Sequence, residues 1–361
     1  MKKILFVDLA SSFGGIENYL ASLSQLLTGQ AELHAVCINE RLREVLREKN
    51  VHVVPEHAIK RGKIVNLLIA AFLLIQMRIR FGISIVWVQG YSEIALLPLA
   101  RMLGCKALAT RHLTMSSETR KFTSKMARKL YEHLAFKAHR IFCVSSAVAS
   151  DLSQLVDEKR LSVIPNWVPS VPELPRTAPQ SKGLCLLFVG RLQPHKGAAL
   201  ILDAMRRIQA EEVPTDLSLT IVGEGECRQE LEGLAEGLDV HFAGFQKDPS
   251  RFYRQADIFI NPTLGPEGLP LVSLEAMSYG LPCIFSDLEV HKEISIEGTS
   301  AALFAAGNSD DLCTKLLELA KNKSLRAELG NRARSMILSR HTQECAKAAY
   351  LKCLDAIARA A

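Results

Sequence analysis

"PNWVPSVPELPRTAPQSKG" (165–183) carries Pro165, Pro169, Pro172, Pro175 and Pro179. Proline fixes φ and removes a backbone donor, so this density permits neither a helix interior nor a central strand. The stretch reads as an interdomain linker, and what flanks it decides the fold. Before it, the runs "KKILFVD", "AELHAVCI", "VHVV", "ISIVWVQ", "CKALAT", "RIFCVS" and "LSVI" alternate with helix-length amphipathic stretches such as "IENYLASLSQLLT" and "YSEIALLPLARMLG". After it the alternation restarts with "LCLLFVG", "LSLTIVG", "VHFAG", "DIFINP" and "PCIFSD". The runs are continuously apolar, as in parallel strands covered on both faces. Each half therefore predicts a doubly wound, Rossmann-like α/β domain. The boundaries fall at 1–165 for the first domain, 166–183 for the linker and 184–344 for the second, and the tail from Asp310 reads as helix. Ligands of such sheets bind beyond the carboxyl ends of the strands, so two of them predict a central cleft between facing domains.

The size agrees: 361 residues suit two domains, and 48% hydrophobic with 23% charged residues is a globular composition. The nine cysteines are scattered and none has CxxC spacing, which points to small buried hydrophobes in a reducing compartment. "MKKILFVDLA" is interrupted by Asp8 and reads as a first strand, not a secretory signal. In "KIVNLLIAAFLLIQMRIR" the unbroken apolar core is Leu67 to Ile75, nine residues, where a membrane span needs roughly 20. That stretch reads as a helix of a soluble fold or an interfacial one. Charge is uneven: residues 1–165 hold 23 Lys/Arg against 13 Asp/Glu, and the remainder 21 against 25. A basic first half suits an anionic partner.

Three stretches carry candidate chemistry. In "GPEGLPLVSLEAMSYGLP" (265–282), Glu267 sits in a Gly/Pro-rich opener and Glu275 in the helix that follows. Pro270 near the helix start leaves the N–H groups of Leu271, Val272 and Ser273 as an anion site. A ligand-free reading of Glu275 is a first-turn carboxylate that favours the helix dipole. In "LLFVGRLQPHKG" (186–197), Arg191 and Lys196 follow a strand end; they form a phosphate clamp or two solvated loop charges. In "SSFGGIENYL" (11–20), Gly14 and Gly15 open a helix and permit close ligand approach, without the G-x-G-x-x-G spacing of a nicotinamide enzyme. "VGEGE" (Gly223, Gly225) is weak by itself.

Together, "VGRLQPHKG" and "PEGLPLVSLEAMSYGLP" resemble the retaining glycosyltransferases of family 4 (glycosyl transferases group 1), whose hallmark E-x7-E is matched by Glu267 and Glu275. Supporting resemblances run through most of the chain: "FGG" (13–15), "FCVSSAVASDL", "SVIPNWV", "VHFAGFQ", "ADIFINPT" and the closing "LFAAGNSDDLCTKLLELAKNKSLRAELGNRAR". The resemblance implies the GT-B fold, with a C-terminal helix (about 345–361) packing back on the first domain. It implies that Arg191 and Lys196 hold the diphosphate of a nucleotide sugar and offset the charge growing on the leaving group. By the same likeness Leu271, Val272 and Ser273 add N–H donors, Glu275 accepts from the ribose hydroxyls, and Glu267, with Gly268 and Leu269 beside it, faces the donor sugar. Gly15 approaches phosphate or sugar from the other domain, and Gly244 and Phe245 pack the nucleobase. His112, in "LATRHLT", matches a cleft histidine near the transferred sugar, though a histidine after a strand is also commonly structural; Arg111 shares its loop. No metal or other cofactor is implied, the substrate being a UDP- or GDP-sugar, and Asp8 and Glu17 are not expected as ligands. The chain departs from the family at Trp167, where Gly is usual, and at Leu269, where Phe is common; Trp167 either contacts ligand or fills space.

Residues 111–140 hold eight Lys/Arg against Glu118 and Glu132, and Lys121, Lys125, Arg128 and Lys129 recur at three- and four-residue steps. This predicts a basic helix face, either a solvated flank or a peripheral contact with anionic membrane. No nucleic-acid module is recognisable. The expectation is a cytoplasmic hexosyltransferase-type enzyme, at the inner membrane face when bound. It moves sugar to a lipid-linked or cell-envelope glycan of lipopolysaccharide, capsule or exopolysaccharide type. The rivals are an epimerase or hydrolase of the same fold and a non-catalytic donor-binding subunit of a glycan-assembly complex.

Overall fold

The computed structural model describes residues 1–361 apart from 12, 56–61, 91, 115–132, 135–136, 174–182, 211–215, 297 and 360–361. The chain divides into two compact units: Met1–Asn166 with Ala346–Ala361, and Trp167–Cys345. In the first, β1 (Lys2–Asp8), β2 (Ala31–Cys37), β3 (His52–Val54), β4 (Ile85–Val88), β5 (Lys106–Arg111), β6 (Arg140–Cys143) and β7 (Leu161–Val163) form one parallel sheet in the order β3-β2-β1-β4-β5-β6-β7. In the second, β8 (Leu184–Val189), β9 (Leu217–Val222), β10 (Val240–Gly244), β11 (Ile258–Asn261), β12 (Cys283–Ser286) and β13 (Ala302–Phe304) form another in the order β10-β9-β8-β11-β12-β13. Strand order reverses beside the first strand of each sheet, between β1 and β4 and between β8 and β11. This is the Rossmann winding, and each reversal opens a crevice at the carboxyl ends of the strands.

Every strand-like run of the sequence forms a strand, and the structure adds β13, which the sequence reading missed. It is a three-residue edge strand in "SAALFAAG", too short and too alanine-rich to give a periodic signal.

The continuous apolar runs are explained by cover on both faces. Ile4, Leu5, Phe6 and Val7 of β1 and Val86, Trp87 and Val88 of β4 have no solvent exposure. Trp87 centres an aromatic cluster with Phe6, Phe142 and Tyr350 at 5.6, 4.8 and 5.6 Å between ring centroids, and its indole N–H donates to Thr110 Oγ1 at 2.9 Å. Tyr350 comes from the C-terminal helix Gln343–Arg359 and bonds the hydroxyl of Tyr19, so the last helix closes the core of the first unit. Trp167 is buried, at 3% exposure, in the second unit. All nine cysteines are free; five are buried, three half-buried and Cys345 exposed.

Candidate active site

The second unit builds its site on the two loops that flank the reversal. Beyond β8 the chain passes Gly190 and Arg191 into a single 3-10 turn, Pro194–Lys196, which ends at Gly197 with φ 72°. A Cβ on Gly197 would collide with the carbonyl oxygen of Pro262, so only glycine lets this turn rest on the loop leaving β11. Two bonds then sew the loops together: Leu264 N–H donates to the His195 carbonyl at 2.7 Å, and the Thr263 hydroxyl lies 3.1 Å from the same oxygen. The result is an ion pair between Lys196 Nζ and Glu267 Oε1, whose side chains are 20% and 11% exposed. The Thr263 hydroxyl lies 3.3 Å from the same carboxylate oxygen. Arg191, at the end of β8, is exposed.

From Gly265 (φ 82°) the chain passes buried Gly268 and Leu269 to Pro270, which caps the helix Leu271–Ser278. Here the structure corrects two expectations. The N–H of Ser273 is not free, because the Pro270 carbonyl accepts it at 3.1 Å in a tightened first turn. The N–H groups of Leu271 and Val272 remain without a partner among the described residues. Glu275 is in the second turn, not the first, so the helix-dipole reading loses its geometry. Its Oε2 accepts from the Tyr253 hydroxyl at 2.8 Å. Burial pushes its carboxyl up to about 7, even with that donor favouring the anion.

Beneath these groups lies a polar frame that the sequence reading did not find. Asn261 Nδ2 donates to Ser273 Oγ at 2.9 Å and lies 3.5 Å from His291 Nε2. His291 Nδ1 donates to the Ser286 carbonyl at 2.8 Å, and Ser286 Oγ donates to the Thr263 carbonyl at 2.6 Å. His291 has no exposure, and burial lowers it to about 4, so it is neutral, a donor at Nδ1 and an acceptor at Nε2. The frame locks the ends of β11 and β12 to the start of Leu271–Ser278. In "LEVHKE" His291 looks like any residue of a solvated helix; only the fold buries it.

The glycines of "VGEGE" are also more than a failed motif. A Cβ on Gly223 would strike the Gly190 carbonyl and one on Gly225 the Leu192 carbonyl, so both serve the close approach of backbones at the carboxyl edge. Gly244, at φ 68°, accepts the Gly223 N–H at 2.9 Å, and Phe245 follows it at 58% exposure.

In the first unit, Gly15 is exposed and opens the helix α1 (Gly15–Leu27), with open space where its Cβ would be. The Glu17 carboxylate accepts the Gly14 N–H at 2.6 Å. Two buried acids shape the same loop: Glu93 accepts the Leu9 N–H at 2.5 Å and Asp8 the Ala10 N–H at 3.0 Å, and burial raises both carboxyls. His112, just past β5, meets Tyr19 edge-on at 4.6 Å, with Nε2 3.4 Å from Gln89 Oε1. Burial, and secondarily the charge of Arg111, lowers it to about 3, so its ring is neutral. Arg111 itself is buried. The predicted basic face of Lys121, Lys125, Arg128 and Lys129 lies outside the described residues.

Two Rossmann-wound units in one chain make the GT-B architecture, and the second carries cations and acids at the reversal of its sheet. Residues 13–170 match the family model described as Glycosyltransferase Family 4, and residues 183–322 match that for Glycosyl transferases group 1. The chain belongs to that family. Over 171 residues it is 34% identical to the phosphatidyl-myo-inositol mannosyltransferase of Mycobacterium leprae, an alignment that spans 45% of this chain and 45% of that relative, so less than half of the relative's own length. It is 24% identical over 357 residues, 93% of this chain and 94% of the relative, to the N-acetylgalactosamine-N,N'-diacetylbacillosaminyl-diphospho-undecaprenol 4-alpha-N-acetylgalactosaminyltransferase of Campylobacter jejuni. The crystal structure of Anabaena HepE in complex with UDP superposes with a TM-score of 0.82 at 17% identity over 99% of this chain and 100% of that one, a likeness of fold.

Proposed function

We propose that the protein is a retaining glycosyltransferase that moves a sugar from a nucleotide-diphosphate sugar to a lipid-linked or cell-envelope glycan. The observation that carries this reading is the Lys196–Glu267 pair at the β8/β11 reversal, beside the start of Leu271–Ser278. Negative charge grows on the departing diphosphate as the sugar–phosphate bond breaks. Lys196 and the N–H groups of Leu271 and Val272 are fixed donors for it, worth most where water is excluded, and exposed Arg191 adds a second cation beside them. They take the place a metal ion fills in other enzymes, so we read the reaction as metal-independent. Glu267 is assigned to the donor sugar and its oxocarbenium-like charge, Glu275 to the ribose hydroxyls, and Gly244 with exposed Phe245 to the base. Within the first unit, Gly15 and His112 share the carboxyl edge of the sheet and are assigned to sugar hydroxyls; a neutral imidazole both donates and accepts there. The acceptor class follows the relatives, whose names carry phosphatidyl-myo-inositol and diphospho-undecaprenol. With such an acceptor we read the enzyme as cytoplasmic, at the inner membrane face.

The test is nucleotide release from a panel of UDP-, GDP- and ADP-sugars, with mass spectrometry of cell-envelope lipids as acceptors. Transfer with retained anomeric configuration is expected. Turnover of donor without any glycosylated acceptor would favour an epimerase or hydrolase, and nucleotide binding without turnover a donor-binding subunit.

The raised Glu275 carboxyl adds a pH dependence. In the folded protein the proton leaves only as pH rises through about 7. Its stabilising contribution is therefore full below the ordinary carboxylate range and lost as pH rises through about 7. Ribose hydroxyls need the anion, so nucleotide affinity is expected to rise about tenfold from pH 6 to 8. Glu275→Gln is expected to flatten that profile in calorimetric titrations with UDP or GDP.

A further inference from the structure

The helix α2 (Lys63–Phe81), which crosses from β3 to β4, is apolar on both of its faces. Asn66, Ala70, Leu74 and Met77 are its buried residues. On the other side Ile64, Leu68, Phe72 and Ile79 are 76, 64, 60 and 79% exposed, at the four- and seven-residue steps of a single stripe. Only 22% of its most apolar window is buried, so it is not a core helix. Nor does it cross a membrane in this fold, because both ends return to the same sheet and Arg78 clips it down, Nε to the Leu103 carbonyl at 3.0 Å and Nη1 to the Ile83 carbonyl at 3.1 Å. The helix thus lies along the first unit with about 22 Å of apolar stripe outward.

Charge decides what covers it. From residue 57 to residue 92 the sequence has no Asp or Glu, while Lys60, Arg61, Lys63, Arg78 and Arg80 are cationic. Lys63 and Arg80 are exposed at opposite ends of α2. If two copies paired stripe to stripe, a parallel arrangement would set Lys63 on Lys63 and an antiparallel one Lys63 on Arg80, with no acid on the helix to offset either. An anionic bilayer meets both needs: the aliphatic and phenyl groups reach the acyl boundary, and the terminal cations stay among phosphates.

We propose that α2 docks the first unit flat on an anionic lipid surface. This deepens the lipid-linked-acceptor reading and takes its biological sense from it, but its test needs neither donor nor acceptor. The full chain is sedimented with vesicles of phosphatidylglycerol and phosphatidylethanolamine, and in parallel with phosphatidylcholine alone. Strong binding is expected to the first and weak binding to the second, falling with salt. Leu68→Glu/Phe72→Glu is expected to lower the partition coefficient about tenfold or more, with far-UV circular dichroism and UDP affinity unchanged. A Phe72→Trp variant reports directly: its added fluorescence is expected to shift blue with the anionic vesicles, against buried Trp87 and Trp167 as background. Equal partition of wild type and double variant overturns the proposal, as does an unshifted Phe72→Trp spectrum. So does a wild-type dimer that the double variant converts to monomer with no vesicle binding by either, because the stripe would then be a self-association face.

Discussion

Lys196→Ala is expected to lower kcat by about 10²–10³-fold, with the protein still folded. The lysine is fixed over the β8/β11 reversal, held by Glu267 and by the loop that Gly197 and the His195 carbonyl press against β11. Its ammonium meets a diphosphate whose charge increases on the way to the transition state, so its removal acts more on kcat than on KM. Stability should change less. Glu267 loses its cation but keeps the Thr263 hydroxyl at 3.3 Å and partial access to water, a cost of about 1–3 kcal/mol. Glu267→Ala should also abolish transfer, and the double variant should be no worse than the poorer single one, because the two side chains act as a pair. Single-turnover nucleotide release with circular dichroism as the folding control separates these outcomes. Turnover near wild type in Lys196→Ala would remove the diphosphate clamp from this loop and return its two cations to the role of solvated charges.

The architecture was legible because buried parallel strands advertise themselves. Runs such as "LCLLFVG" and "PCIFSD" have few other places to go, and five prolines between two such series leave two sheets as the reading. The site was legible only in part. Arg191, Lys196, Glu267 and Glu275 stand out as charges at strand and helix ends, but 71 positions separate Lys196 from Glu267, and their pairing exists only because two loops meet at the reversal. The supporting groups were invisible for a related reason. His291 and Asn261 are polar residues of no unusual spacing, and burial among strand ends alone makes a hydrogen-bonded frame of them. Glu275 misled in the opposite way: seen next to a helix start it suggested a dipole partner, whereas the Pro270 cap places it one turn further in, against Tyr253. The glycines failed as a motif because their role is steric contact with residues more than 30 positions away in sequence, as from Gly223 to Gly190.

That contact gives the second large effect: Gly223→Ala is expected to destabilise the second unit by about 3 kcal/mol or more. Two costs add. Gly223 has φ 149°, a backbone conformation L side chains rarely adopt, and the new Cβ would strike the Gly190 carbonyl. Neither backbone can yield easily. Gly190 N–H donates to the Val222 carbonyl at 3.0 Å and Gly223 N–H to the Gly244 carbonyl at 2.9 Å, so moving either strand end strains a ladder spanning β8, β9 and β10. Arg191 is the next residue after Gly190, and displacement of that carbonyl carries the guanidinium with it, so surviving protein should also bind nucleotide more weakly. Gly233→Ala is the matched control. It lies in the helix Arg228–Leu234 with nothing within 4 Å of its Cβ position, and alanine there should be neutral or stabilising by up to about 1 kcal/mol. Urea unfolding of both variants, read alongside UDP affinity, tests the sign as well as the size. If the two substitutions behaved alike, the backbones of Gly190 and Gly223 would not be in contact, and the placement of Arg191 at the mouth of the reversal would fall with that contact.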